Sequence, residues 1–365
     1  MPSRLSRASR GRPVSVLSAA RALALRLFRI KTSSFDAVKK VVRRIVVDGT
    51  LAGAWPILEQ RIGMDDFRRR LDELKRLRRA VILAHNYQPL AVQRLADHTG
   101  DSLELARLAA RTDAEVVLFC GVHFMAETAA MLCPGKKVLL PDANAGCAMA
   151  NHCHPRALKR VQQEHPGAIT IGYINSSASV KALCDLCCTS ANAVQVVESA
   201  PRGAPILFVP DRNLGRWVAD RTGRAVGRDF FLWDGCCPVH NRIRPEMVRA
   251  AKVAHPAAPV VAHPECPPEV SAMADHVCGT AGMFRFCRER KETEFIIATE
   301  IAMLPRLALE NPGKRFHEAA SVADCPDMAL TTPEKIIWAL EDLAPEATVA
   351  PDLAALARRC IDRML

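Results

Sequence analysis

The chain has 365 residues, 49% of them hydrophobic, and a formal charge of +11; it is long enough for two or three domains with real cores and is not a disordered chain. The charge is confined to one end: residues 1–44 hold twelve Lys/Arg against the single acid Asp36, so the rest sums to zero and offers no basic groove for nucleic acid. No uncharged apolar run reaches 18 residues, so no membrane span is expected. None of the fourteen cysteines precedes Cys120 and their spacing is irregular. That pattern fits reduced thiols in a cytoplasmic protein, some of them on a metal centre, better than a secreted disulfide framework.

The basic opening, residues 1–44, is rich in Arg, Ser and Ala like an organelle transit peptide. It reads as a flexible extension without packed structure. A helical segment is expected over 45–77. An apolar run ending in polar residues, "VILAHNYQ" (81–88), follows, as a buried parallel strand would. After it come a helix in "GDSLELARLAARTD", a second apolar strand "VVLFCGV" (116–122) and Cys147 in "PDANAGCAMA". The series then restarts with "ITIGYINS" (169–176), "DLCCTSANAV" (185–194), "PILFVPD" (205–211) and "WDGCCPVH" (233–240). It restarts again with "PVVAHPEC" (259–266), "DHVCGTAGMF" (275–284), "FIIATEI" (295–301) and "VADCPDMAL" (322–330).

Four features recur in one phase. The polar pairs His85/Tyr87, Tyr173/Asn175 and His263/Glu265 are 88 and 90 residues apart, as are the hydroxyls Ser102, Ser190 and Thr280. Phe119, Phe208 and Ile297 are 89 apart each time. Cys147 and Cys325 flank a third cysteine, which spacing alone leaves open between Cys236 and Cys237. Generic βα patterning explains the apolar runs but not polar pairs, hydroxyls and cysteines in register. The units are expected over 78–165, 166–255 and 256–345, with a closing helix over 346–365. The fold class is α/β: three homologous domains with parallel sheets in a pseudo-threefold arrangement around a central site. Ligands collect beyond the carboxyl ends of such strands, where i, i+2 pairs share a face. Hydroxyls opening three helices, each a candidate N-cap, suit phosphate or carboxylate groups.

Three thiolates are one short of a closed structural zinc site, so a catalytic zinc remains open. So does an iron–sulfur cluster with one iron left without a protein ligand. "CDLCC" (184–188) holds a C-x-x-C without a second, so Cys184 and Cys187 read as packed thiols, with a redox role only weakly motivated. Cys120, Cys133, Cys266, Cys278, Cys287 and Cys360 read as small apolar residues. His123, His152, His154 and His240 read as surface or loop histidines, Glu127 as a helix-face residue, and Trp217 and Trp233 as packing residues.

"AHNYQ", "GDSLELAR", "GVHFMAETAAMLCPGKKVLLPD", "AGCAMA", "YINSSASVKA", "CTSANAV", "PDRNLGR", "WDGCCPVH", "VVAHPECP" and "CPDMA" together resemble the quinolinate synthase A family, over about residues 78–342. The resemblance implies one [4Fe–4S] cluster held by Cys147, Cys237 and Cys325, since the family's W-x-G-x-C-x-V-H pattern selects Cys237. It implies condensation of iminoaspartate with dihydroxyacetone phosphate to quinolinate, in NAD biosynthesis. It also implies a functional partner, L-aspartate oxidase or dehydrogenase, that supplies the imine. His85 and Tyr87 then match a pair doing acid–base work on the triose. Tyr173 and Asn175 match substrate contacts near the open iron, and His263 and Glu265 a pair close to the bound intermediate. Ser102, Ser190 and Thr280 match anion-binding hydroxyls. Gly279, where the family often has Ser, and Ala130, where it often has Lys, depart from the pattern. Two other readings are a three-cysteine reductase of the isoprenoid-diphosphate type and a non-catalytic metal-binding protein. The first lacks its motifs here, and the second has no need of polar residues converging from three units.

Overall fold

The computed structural model describes residues 64–364; the basic extension over 1–44 and the segment 45–63 lie outside the described residues. The first described element is the helix Met64–Arg78. It buries Leu71 and Leu74, and the Arg78 guanidinium donates to the carbonyls of Leu340 and Glu341 at 3.1 and 2.9 Å.

From Arg70 onward the chain forms three four-stranded sheets, every strand pair parallel. The first holds β1 (Ala80–His85), β2 (His98–Gly100), β3 (Val116–Cys120) and β4 (Lys137–Leu139) in the order β2-β1-β3-β4. The second holds β5 (Ile169–Tyr173), β6 (Leu186–Cys188), β7 (Ile206–Val209) and β8 (Phe230–Leu232), ordered β6-β5-β7-β8. The third holds β9 (Val260–Ala262), β10 (His276–Val277), β11 (Glu294–Ala298) and β12 (Arg315–Glu318), ordered β10-β9-β11-β12. Helices cover the sheets, so central strands such as β3 and β7 are buried at every residue. That burial is why they read as unbroken apolar runs rather than alternating ones.

The repeat holds at the level of single pairings. Leu83, Ile171 and Val261 face Phe119, Phe208 and Ile297 across the sheet. On their other side they face His98, Leu186 and His276. A further triplet acquires a role only in the structure. Asp97, Asp185 and Asp275 each accept an N–H from the central strand, from Ile82, Thr170 and Val260 respectively, at 2.8 Å in all three units. Each carboxylate stands just before an edge strand and ties the start of that strand to the central one.

The closing helix spans Pro351–Asp362 and buries Ala357, Cys360 and Ile361. It packs on β6 and on the helices Ala178–Lys181 and His123–Leu132, tying the first two units together. The C-x-x-C is part of this packing. Cys187 is fully buried and shares a hydrogen bond with Cys360, while Cys184 donates to the Val180 carbonyl at 3.2 Å.

Candidate active site

A cavity of about 280 Å³ opens where the three units meet, and all of them line it. The polar pairs arrive as the strand period requires. His85 ends β1 and Tyr173 ends β5, with Tyr87 and Asn175 two residues on and so on the same side; His263 and Glu265 follow β9. Ser102, Ser190 and Thr280 reach the cavity from the three helix starts. Their role differs from the expected one. Asp101 caps the first helix, accepting from Leu103 and Glu104 at 2.9 Å, and Gly279 occupies the cap position before Thr280. In the second unit the cap position is Asn192. None of the three hydroxyls is spent on capping its helix; Ser102 and Ser190 can face a ligand, and Thr280 does so while accepting from the Asn86 amide at 2.8 Å.

Gly279 has a steric reason to lack a side chain. A Cβ there would lie 2.7 Å from the Ser190 Oγ. Two of the three hydroxyl-bearing turns therefore touch across the repeat, and the glycine makes the room. Gly279→Ser is expected to displace Ser190 and raise the KM for the anionic substrate by about tenfold, one lost charged hydrogen bond, with stability little changed. Steady-state kinetics and thermal unfolding check this.

Cys147, Cys237 and Cys325 line the cavity, and Cys236 is not among its lining residues. Each of the three begins a four-residue helix, Ala148–Asn151, Pro238–Asn241 and Pro326–Ala329. Backbone N–H groups face each sulfur: those of Ala150 and Met149, of His240, and of Met328 and Asp327. Burial outweighs them and pushes the free thiols up, to about 12 for Cys147 and about 11 for Cys325.

Among the described residues, the groups tight enough for one ion, with ligand atoms within 4.8 Å, are Cys237/His240/Glu265 and His255/Glu294/His317. The three thiols do not form such a group. Buried soft ligands, spread more widely than a single zinc allows and met by N–H donors, fit a multi-iron cluster.

The cysteine loops are held by acids that sequence reasoning passed over. Asp211 accepts from the Leu214 N–H at 2.7 Å and from the Cys237 N–H at 2.9 Å. Glu300, at the equivalent place in the third unit, accepts from Ala302 at 2.9 Å and from Cys325 at 3.2 Å. Val122 stands there in the first unit, which keeps only the bond all three units share, from the N–H of His123, Arg212 or Ile301 to the carbonyl of Ala145, Gly235 or Ala323. Both acids are buried, and burial raises them, Asp211 to about 8 and Glu300 to about 7. Gly235 completes the second loop, because a Cβ on it would stand 2.4 Å from the Pro210 carbonyl oxygen.

His240, expected on the surface, is 2% exposed. It is the hinge of a chain of hydrogen bonds, continued by a close contact with Glu265, that draws on all three units. Tyr87 Oη lies 2.6 Å from Thr299 Oγ1, which lies 2.8 Å from His240 Nε2. His240 Nδ1 is 2.8 Å from Glu265 Oε2, and the Tyr173 hydroxyl donates to Glu265 Oε1 at 2.5 Å. The signal for His240 was its place three residues after Cys237, on the same short helix; Thr299 had none beyond its place at a strand end.

Charge states follow from burial and contacts. His85 is driven down to about 4 and His263 to about 3 by burial, so both are neutral at pH 7. In each, Nδ1 faces the backbone N–H two residues on, Tyr87 at 3.2 Å and Glu265 at 3.3 Å, which leaves the ring proton on Nε2. Burial alone would raise Glu265, but His263, His240 and the Tyr173 hydroxyl outweigh it and hold the carboxyl below the usual carboxylate range.

These shifts predict a pH dependence of stability. Between pH about 6.5 and about 4 the unfolded chain binds a proton at His85 that the folded chain refuses. Stability is therefore full above that window and lost as pH falls through it. The loss from His85 is on the order of 3 kcal/mol. Urea midpoints measured down the window should fall for the parent and fall less steeply for His85→Ala, which keeps the loss from His263.

A family model described as quinolinate synthetase A protein, NadA, matches residues 69–365. The chain is 48% identical over 301 residues to a quinolinate synthase of Geotalea uraniireducens, covering 82% of this chain and 97% of that protein. It is 49% identical over 292 residues to one of Thermodesulfovibrio yellowstonii, covering 80% and 95%. For one of Trichormus variabilis the figures are 45% over 300 residues, covering 81% and 91%. A match this long, over the same three units that build the cavity, shows that the chain belongs to the quinolinate synthetase A protein family.

Proposed function

We propose that the chain is a quinolinate synthase of NAD biosynthesis that condenses iminoaspartate with dihydroxyacetone phosphate. The products are quinolinate, phosphate and two waters, and the transferase reaction needs no external electron donor. The observation that carries the reading is the meeting of three thiols, one from each unit, with three polar pairs and three hydroxyl side chains around one cavity. Cys147, Cys237 and Cys325 would hold a [4Fe–4S] cluster. When bound, that cluster supplies a Lewis acid that eases departure of a hydroxyl group.

The remaining work falls to side chains. Ser102, Ser190 and Thr280, at helix starts where backbone N–H groups point outward, suit the phosphate and carboxylates of the two reactants. Neutral His85 offers an Nε2–H that can polarise the triose carbonyl. Tyr87, linked through Thr299 to His240, is placed to pass protons during tautomerisation and loss of water. Glu265 stays ionised between His240 and Tyr173 and can receive a proton delivered along that chain. Asn175 and His263 complete the substrate contacts. The imine would come from an L-aspartate oxidase or dehydrogenase acting in the same compartment, the cytoplasm.

A purely structural metal protein would not need a buried chain of five titratable or hydroxyl side chains at its metal site. The test is anaerobic purification followed by an assay with iminoaspartate and dihydroxyacetone phosphate. Iron with quinolinate formed supports the reading; zinc in its place, or iron without product, opposes it.

A further inference from the structure

We propose that the third unit carries a second metal site, for a zinc-class divalent cation, formed by His255, Glu294 and His317 outside the catalytic cavity. The three residues come from separate elements. His255 follows the helix Pro245–Ala254, Glu294 opens β11, and His317 lies in β12. Glu294 stands at the amino end of its strand, away from the carboxyl ends that frame the cavity.

One carboxylate oxygen serves both rings. Glu294 Oε2 is 3.6 Å from His255 Nδ1 and 3.3 Å from His317 Nε2, and all three ligand atoms lie within 4.8 Å of one another. Ligands about 2.1 Å from a tetrahedral ion are separated by about 3.4 Å, so both separations suit one ion once one ring turns out of the near-parallel stack to aim its in-plane lone pair at it. The side chains are half-buried, between 22% and 32% exposed, which leaves an entry path and room for a water as fourth ligand. Arg315 pairs with Glu294 through the other oxygen, Oε1, and holds the carboxyl below its ordinary range, so the acid is ionised. Two imidazoles and a carboxylate select borderline transition ions over calcium or magnesium.

The repeat supplies an internal comparison. His255 and His317 stack with centroids 3.4 Å apart, and at the equivalent place in the second unit His165 stacks on Phe231 at 3.8 Å. The ring stack is thus shared packing. The third unit adds to it a second ring nitrogen and a carboxylate, where the second unit has Phe231 and Pro205.

The experiment is equilibrium dialysis of the cluster-loaded chain against Zn²⁺, beside the His317→Phe and Glu294→Gln variants. His317→Phe copies the second unit's stack, so it should fold and make quinolinate at the parental rate. The parent should bind one zinc that His317→Phe lacks. Glu294→Gln should bind it about tenfold or more weakly, since even outer contacts to metal ligands are worth roughly 10- to 100-fold. Co²⁺ in the site should show visible d–d bands without a sulfur-to-cobalt charge-transfer band. Equal zinc binding by parent and His317→Phe, or cobalt spectra dominated by thiolate, would overturn the proposal.

Discussion

Cys237→Ser is expected to lose the cluster while Cys236→Ser keeps it. The two cysteines are adjacent, so alternation on an extended backbone sends their side chains apart, and only Cys237 is among the residues lining the cavity. The Cys237 N–H is fixed by Asp211 and its sulfur meets the N–H of His240. Cys236 is buried outside the cavity, with Arg212 and Asp234 among the charges it feels. Two thiols cannot replace three as the protein ligands of a cubane. Iron in Cys237→Ser should fall from about four per chain to near zero, and quinolinate formation to background. Cys236→Ser should retain both. Iron and sulfide analysis with visible absorbance reads the difference, and a cluster surviving in Cys237→Ser while lost in Cys236→Ser would reverse the assignment.

Asp211→Ala should be the most destabilising change near the site that replaces no proposed metal ligand. It leaves the N–H groups of Leu214 and Cys237 without their acceptor in a fully buried place. Each buried unsatisfied donor costs about 1–3 kcal/mol, so a loss of about 2–6 kcal/mol is expected, a large share of a domain's net stability. The Cys237 loop should loosen with it, and iron retention should fall even in the fraction that stays folded. Asp211→Asn should be intermediate, because one of its two acceptors becomes a donor facing an N–H. Denaturant midpoints and iron content measured on the same samples check this, and a variant with parental values in both would refute the clamp.

How much of this was readable beforehand depends on what each residue does. Residues that recur in phase were legible: His85, Tyr173 and His263 at strand ends, and the hydroxyls of Ser102, Ser190 and Thr280, all reach the cavity. Residues that break the repeat were not. Asp211 and Glu300 have Val122 as their counterpart, so no triplet marked them, and their role depends on a contact with a loop more than twenty residues away. His240 was misread because a lone histidine in a loop is usually exposed; its burial comes from Thr299 and Glu265 of the third unit, which no local pattern reveals. The first and third helix starts were placed within a residue and the second within two, and the cap positions fell to Asp101, Asn192 and Gly279 rather than to the hydroxyls. Asp97, Asp185 and Asp275 lay in plain view in the repeat, yet a carboxylate that bonds its own sheet cannot be told from a solvated one without coordinates.

The central claim is that one thiol from each unit holds a single iron cube beside the reactants. Iron and sulfide should be counted in the anaerobically purified chain and in the three single variants Cys147→Ser, Cys237→Ser and Cys325→Ser. The account predicts about four of each per chain in the parent and loss of the cube in every variant. A full cube remaining after any one of the three substitutions, or zinc in place of iron in the parent, would contradict it.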